Sequence, residues 1–449
     1  MKNFKSIKLD DIEKYKKEYD EDIKNTIIRH SLSKTKLNDA CYSLDNQKNR
    51  EYTFSIDLKT MPVTNQKQSG RCWIFSASNL LRERIAKELD IDGMFEISQN
   101  YIAFYDKLEK INYVLESIID RIDQEPSERK LMFILQNAVG DGGQWDMFVN
   151  IIKKYGICPK SSMVETCQSS YTSDMNSLIN SSLRNFAYKA QNLYKKDKNL
   201  NNIYSLKEEY LKKFYALLVD GFGVPPTNFD FEYTDKKHKY HIRKNYTPKS
   251  FYEEFVKDYI DDYVSIIHAP TKDKEYNITY TVEYLGNVIE GKKVTHLNLP
   301  LSRMKELIID QLKNGDLVWF GSDVSKYRVR DEQVGLWDDK HFDYESCFGL
   351  DVSFEKDAML DYSSSCMNHA MVLTGVNLVD GKPNRWKVEN SWGKDVGNAG
   401  YFIMSDTFFD KFVYQAAILK DYLNDSELQA LKQEPIMLQP WDPFGTLAD

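Results

Sequence analysis

Long apolar runs are missing from this 449-residue chain: no stretch of 18 or more apolar residues occurs, and the opening MKNFKSIKLD holds no hydrophobic segment of the kind that heads an exported protein. Neither secretion nor membrane spanning is supported, so the cytoplasm is the expected compartment. Paired cysteines are scarce as well. Six cysteines (Cys41, Cys72, Cys158, Cys167, Cys347 and Cys366) make no C-x-x-C pair and no dense framework, which fits reduced thiols. An excess of positive charge is also lacking. Acidic residues (68) outnumber basic ones (60), and a net charge of −8 argues against a surface dominated by nucleic acid or anionic lipid. Phosphate-loop and dinucleotide fingerprints, internal repeats and low-complexity tracts do not occur.

What the chain does have is packing material: 42% hydrophobic residues, with 29 Tyr and 23 Phe. A globular protein of this length is expected to form two or more lobes, because a single core stops growing before this size. Residues 1–60 read as a charged helical lead-in that ends in the strand-like EYTFSIDLKT, and MPVTNQKQSGRC reads as a loop. Apolar positions from Ser76 to Leu89 recur at helical spacing, more helix follows to about residue 160, and Gly142 and Gly143 interrupt it. Residues 161–300 mix helical periodicity with short strand-like runs and read as an inserted region. Beyond Arg303 a helix passes to a strand, DLVWFGSDV, and residues 368–404 read as strands.

The stretch QKQSGRCW places Cys72 at or just inside the start of the Ser76–Leu89 helix. A helix N-terminus favours the thiolate, the nucleophilic form of cysteine; the plainer alternative is a small buried hydrophobe. His369 opens an apolar strand, VDGKPN makes a turn, and residues 385–392 return, so a hairpin centred near Asp380 sets His369 opposite Asn390 or Ser391. An asparagine oxygen that accepts the imidazole N–H would fix the tautomer and aim the other ring nitrogen outward, and Trp392 could shield that bond from water. Gln66, just upstream of the thiol, could donate to a developing oxyanion together with the Cys72 backbone N–H. Gly142 and Gly143 fit a strip where a substrate backbone lies close against the protein. Cys366-x-x-His369 is only half of a zinc site, so no metal is expected. The basic run from Asp235 to Lys244 reads as a solvated loop.

These residues resemble the bleomycin hydrolase and aminopeptidase C family of papain-like cysteine peptidases. The resemblance is carried by QKQSGRCWIFSA, DGGQWDMFVN, YTVEYLGNV, VWFGSDV, FGLDVSFEKD, MNHAMVLTGV, RWKVENSWG and PWDPFGTLA, over nearly the whole chain. It implies an α+β fold: a papain-like two-lobe core, a helical lobe and a β-barrel-like lobe, with helical and hook insertions. The implied divisions are a lead-in (1–60), a helical lobe with the nucleophile (61–160), the insertion (161–300), a β lobe with His and Asn (301–435) and a C-terminal arm (436–449). The resemblance further implies Cys72 as nucleophile, His369 as general base and acid, Asn390 as orienter and Gln66 as oxyanion donor. It also implies no cofactor and a cytoplasmic homohexamer acting on peptides. In the family's aminopeptidases the arm enters the cleft, so Ala448 and Asp449 would face the substrate's amino terminus. The arm departs from the family's usual WDPMGALA ending at Phe444, Thr446 and the added Asp449. The implied function is therefore an aminopeptidase, with a papain-type endopeptidase on oligopeptides and a noncatalytic nucleic-acid-binding ring as alternatives.

Overall fold

The strand that begins at His369 organises the molecule. Its sequence, HAMVLTGVNLV, is almost continuously apolar because both of its faces are covered. Alternate side chains point to opposite sides: Ala370 and Val372 join a core built around Trp73, Trp145 and Trp319, while Met371 and Leu373 join another built around Trp337, Trp386 and Phe408. The computed structural model describes residues 3–43, 51–329 and 335–446.

Among the described residues one large sheet runs through the protein. From edge to edge its strands are Ile436–Leu438, Thr279–Val282, His296–Asn298, Tyr263–Ile267, Val413–Leu419, Val318–Ser322, His369–Val379, Lys382–Glu389, Tyr401–Ser405, Leu336–Trp337 and Arg328–Val329. The short strand Ile56–Asp57 is added on His369–Val379. Strands from residues 263–298 pair directly into it, Tyr263–Ile267 against Val413–Leu419, so the sheet draws on chain before residue 301 as well. Against it pack helices Cys72–Glu88 and Trp145–Tyr155; helix Gln99–Asp120 packs on these two, and the long helices Ser173–Asp197 and Leu200–Phe222 pack on it in turn.

Helix Cys72–Glu88 begins at Cys72, as expected, ahead of the first residue of its apolar spacing, Ser76. Its first eleven residues are all buried, and a helix that is wrapped on every side does not need an amphipathic stripe. The hairpin is tighter than predicted. Asp380 and Gly381, at φ 50° and 77°, form a two-residue turn of the primed type that suits paired strands. The irregularities at Leu373/Gly375 and Asn377/Leu378 cancel, so Val372 pairs with Glu389 in the register that Val379 and Lys382 set at the turn, which is centred between Asp380 and Gly381 rather than on Asp380. Continued, that register would set His369 opposite Trp392 rather than Asn390 or Ser391. His369 itself pairs with Ser322 on the other flank.

Candidate active site

Cys72 is the first residue of its helix and is 1% exposed. The Ala370 N–H points at its Sγ from 3.3 Å, which ties the thiol to the residue after His369. The loop before it is held by charge. Arg71 makes a two-pronged pair with Glu165 (3.2 and 2.8 Å) and donates to the Ser69 hydroxyl. The Gly70 N–H donates to the Asp141 carboxylate at 3.0 Å. Asp141 also accepts from Lys107 at 2.5 Å, from Asn176 at 3.0 Å and from the Thr172 hydroxyl. Burial by itself would raise the Asp141 pKa, yet Lys107 and these donors hold it well below the usual carboxylate range.

His369 and Asn390 meet despite the shifted register: His369 Nε2 lies 2.9 Å from Asn390 Oδ1. The Ser391 N–H donates to that same Oδ1 at 2.8 Å, which identifies the atom as an oxygen. Nε2 therefore carries the proton, and Nδ1 keeps its lone pair. Burial pushes the imidazole pKa down to about 4; the bond to Asn390 opposes the shift and the Arg328 guanidinium adds to it. The ring is thereby kept neutral, with Nδ1 unprotonated. Trp392 covers it, with ring centroids 5.0 Å apart, and Arg328 lies 4.8 Å over the Trp392 ring.

Gln66 is fixed at both ends of its amide. Its Oε1 accepts from the Ser391 hydroxyl at 2.5 Å and its Nε2 donates to the Ser69 carbonyl at 2.7 Å, which leaves a second N–H on Nε2. Its backbone N–H donates to the Ser391 carbonyl at 2.8 Å, so the loop before Cys72 is laced to the residue after Asn390. Gln66, Asn368, His369 and Trp392 line one cavity of about 1520 Å³.

The C-terminal arm reaches this site. The Gln144 side-chain amide donates to the Thr446 carbonyl at 3.0 Å, and the Thr446 hydroxyl shares its proton between the Pro443 carbonyl at 2.7 Å and the Met367 carbonyl at 3.0 Å. Thr446 thus bridges a residue next to Gly143 and one two positions before His369. Behind it, Phe444 is 6% exposed in a cluster with Leu360, Met367 and Tyr414. Asp442 pairs with buried Lys274 at 2.9 Å, and Trp441 lies under the Arg129 guanidinium at 3.6 Å. Ala448 and Asp449 lie outside the described residues.

Gly142 and Gly143 are both buried. Gly143 is demanded by an internal neighbour: a Cβ there would stand 2.4 Å from the Trp73 indole. The Gly142 carbonyl accepts from Lys110 Nζ at 2.5 Å. Asp235–Lys244 forms the turn and returning strand of a hairpin, in which His241 meets Asp235 at 2.8 Å. Among the described residues no group of three or more His, Cys, Asp or Glu is placed to hold a metal ion.

Sequence reasoning missed Asp141, Gln144 and Met367, and it missed the bond from Ser391 to Gln66. Ser391 had a local signal, since it follows Asn390 directly. Asp141 and Gln144 flank the noted glycine pair, but nothing local indicates that their partners are Gly70 and Thr446.

A thiol at a helix start, an imidazole whose tautomer is fixed by an amide, and a donor-bearing glutamine define the class of the thiol-dependent acyl-transfer site. The comparisons narrow this. The family model for the Peptidase C1-like family matches residues 6–445. The chain is 47% identical over 399 residues to Aminopeptidase C of Lactobacillus delbrueckii subsp. lactis, which covers 88% of each chain. It is 38% identical over 405 residues to bleomycin hydrolase of Gallus gallus, again covering 88% of each. The crystal structure of PepW from Lactobacillus rhamnosis HN001 superposes with a TM-score of 0.95 at 44% identity, covering 99% of both chains. The chain belongs to the Peptidase C1-like family, and its α+β fold is the papain-like one.

Proposed function

We propose that the protein is a cysteine aminopeptidase that removes N-terminal residues from peptides. Cys72 attacks the first peptide carbonyl as the thiolate, its proton having passed to His369 Nδ1. The tetrahedral oxyanion takes the Cys72 backbone N–H and the remaining Gln66 Nε2–H. His369 returns the proton to the leaving amine, which departs with the rest of the peptide. Water, deprotonated by His369, then hydrolyses the thioester and restores the thiol. Asn390 holds the imidazole, Trp392 shields their bond, and Gly142 and Gly143 flank the substrate backbone.

The observation that carries the exopeptidase reading is the seat of Thr446, whose carbonyl takes the Gln144 amide beside Gly143 and whose hydroxyl lies 3.0 Å from the Met367 carbonyl, two positions before His369. A longer N-terminal extension of the substrate would meet the arm there. Ala448 and Asp449 follow by two and three residues, and a carboxylate in that segment would pair with a free ammonium and reject a blocked one. We further assign the protein to the cytoplasm as a homohexamer, and keep the five-part division given by the sequence, with residues 263–298 of the insertion and Ile436–Leu438 of the arm lending strands to the sheet of the β lobe. Six cysteines outside any disulfide support the compartment. Helices Leu9–Glu21 and Ile23–Leu32 bury no residue and expose Leu9, Ile23 and Ile27, which supports self-association through them.

The test compares one fluorogenic peptide with free and acetylated N-termini, on the full chain, on a chain ending at Phe444, and on Cys72→Ser. The expected pattern is cleavage of the free peptide alone by the full chain, of both by the shortened chain, and of neither by Cys72→Ser. Equal rates on both peptides by the full chain would point instead to endopeptidase action from the same site.

A further inference from the structure

Next to Asn390 in the chain lies a buried carboxylate that the chemistry above does not use. Glu389 immediately precedes Asn390 and is 1% exposed. Its Oε1 accepts from Asn79 Nδ2 at 2.9 Å and from Arg82 Nη2 at 3.2 Å. Both donors stand on the helix that Cys72 begins, three residues apart and so on one face. The same two side chains also grip the loop that leads to Gln66. Arg82 donates to the Met61 and Pro62 carbonyls at 3.2 and 3.1 Å, and Asn79 Nδ2 donates to the Thr64 hydroxyl at 3.0 Å.

One knot therefore joins three separate pieces of chain: the Cys72 helix, the loop carrying Gln66 and the strand end carrying Asn390. A buried ion pair is poor value as a source of stability, because desolvating both charges offsets most of their attraction. What a single charge with fixed donors gives is a unique geometry, and small displacements within a catalytic constellation are costly.

We propose that Glu389, held by Arg82 and Asn79, is a positioning residue that sets the distance and angle between Cys72 and the His369–Asn390 pair. Its loss leaves substrate binding in the cleft intact and degrades proton transfer between thiol and imidazole. This rests on the reading of Cys72 and His369 as nucleophile and base.

The experiment uses the full chain, Glu389→Gln, and Asn79→Ala, which removes one helix-side donor and leaves the ion pair in place. Three quantities are measured: kcat per alkylatable Cys72, KM, and the pH midpoint of Cys72 alkylation by iodoacetamide, followed by mass spectrometry of the Cys72 peptide. For Glu389→Gln the expected result is a fall in kcat per thiol of about tenfold or more, KM within about twofold, and an upward move of the alkylation midpoint; Asn79→Ala moves the same way by less. Unfolded molecules would expose an alkylatable thiol of ordinary pKa, so all three quantities are measured where circular dichroism shows each variant fully folded; under those conditions simple destabilisation leaves kcat per site and the midpoint where they were. Unchanged values in Asn79→Ala overturn the proposal even if Glu389→Gln does not fold. If alkylating Cys72 in the unaltered protein leaves its activity intact, the nucleophile reading falls and the proposal with it; if only the variants match the unaltered protein, the reading stands and the proposal falls.

Discussion

Phe444→Ala tests whether the arm is a docked flap whose seat decides substrate choice. The ring is 6% exposed, clustered with Leu360, Met367 and Tyr414, its centroid 6.3 Å from that of Tyr414. Removing a buried Phe ring costs about 3 kcal/mol or more. If the arm can lift while the body stays folded, the loss falls on the docking equilibrium, and about 3 kcal/mol corresponds to a shift of about 10²-fold. The Asp442–Lys274 pair and the Trp441–Arg129 stack remain, so the arm still returns to its place part of the time. The expected outcome is a rise of about tenfold or more in the ratio of kcat/KM for an acetylated peptide to that for its free counterpart. Phe444→Met, which keeps most of the volume, should move the ratio much less. The assay pairs these rates with urea unfolding of each variant. A fallen urea midpoint with an unchanged ratio would refute the reasoning, because the ring would then be supporting the body of the protein rather than the docking of the arm.

Two further outcomes follow from packing and charge. Gly143→Ala forces a methyl to within 2.4 Å of an indole whose N–H is committed to the Asp141 carbonyl at 2.8 Å, so it should destabilise by about 2 kcal/mol or more, read as a lower urea midpoint at constant m. His296 is fully buried, donates or accepts at Nδ1 with the Ser265 hydroxyl, and is pushed by burial down to about pH 3 from an ordinary 6.5. Its folded pKa is depressed, so the unfolded chain binds the extra proton between those values. Stability is then full above about 6.5 and is lost as pH falls toward 3, at about 1.4 kcal/mol per pH unit. His296→Gln should flatten the pH dependence of the unfolding free energy by that one proton, and an unchanged slope would show that this imidazole is not kept neutral by the fold.

How much of this could be read from sequence depends on whether the relevant contact is local. The start of the Cys72 helix and the hairpin that brings His369 near Asn390 are set by short-range rules, helical spacing and a turn at Asp380-Gly381, and both were legible. The register was not, because it depends on where the turn is centred: Asp380 and Gly381 share the two-residue loop, so the centre falls between them rather than on Asp380, and every pair moves with it. The His369–Asn390 bond survives because it is made by side chains at the strand end, where two residues of slip still leave them within reach.

Gly142 and Gly143 show how a motif can be found for one reason and needed for another. A glycine pair next to a cleft suggests room for substrate, and the structure gives Gly143 a reason of its own in Trp73. Both can hold at once, since the glycine that admits the indole also brings Gln144 to the Thr446 carbonyl. Glu389 was beyond local reading altogether. Its donors lie 310 and 307 residues earlier in the chain, and no periodicity links positions so far apart. The two halves of the site are therefore specified at different ranges: the chemistry by short motifs that any reader of the chain can find, and its alignment by a buried charge whose meaning exists only once the chain has folded.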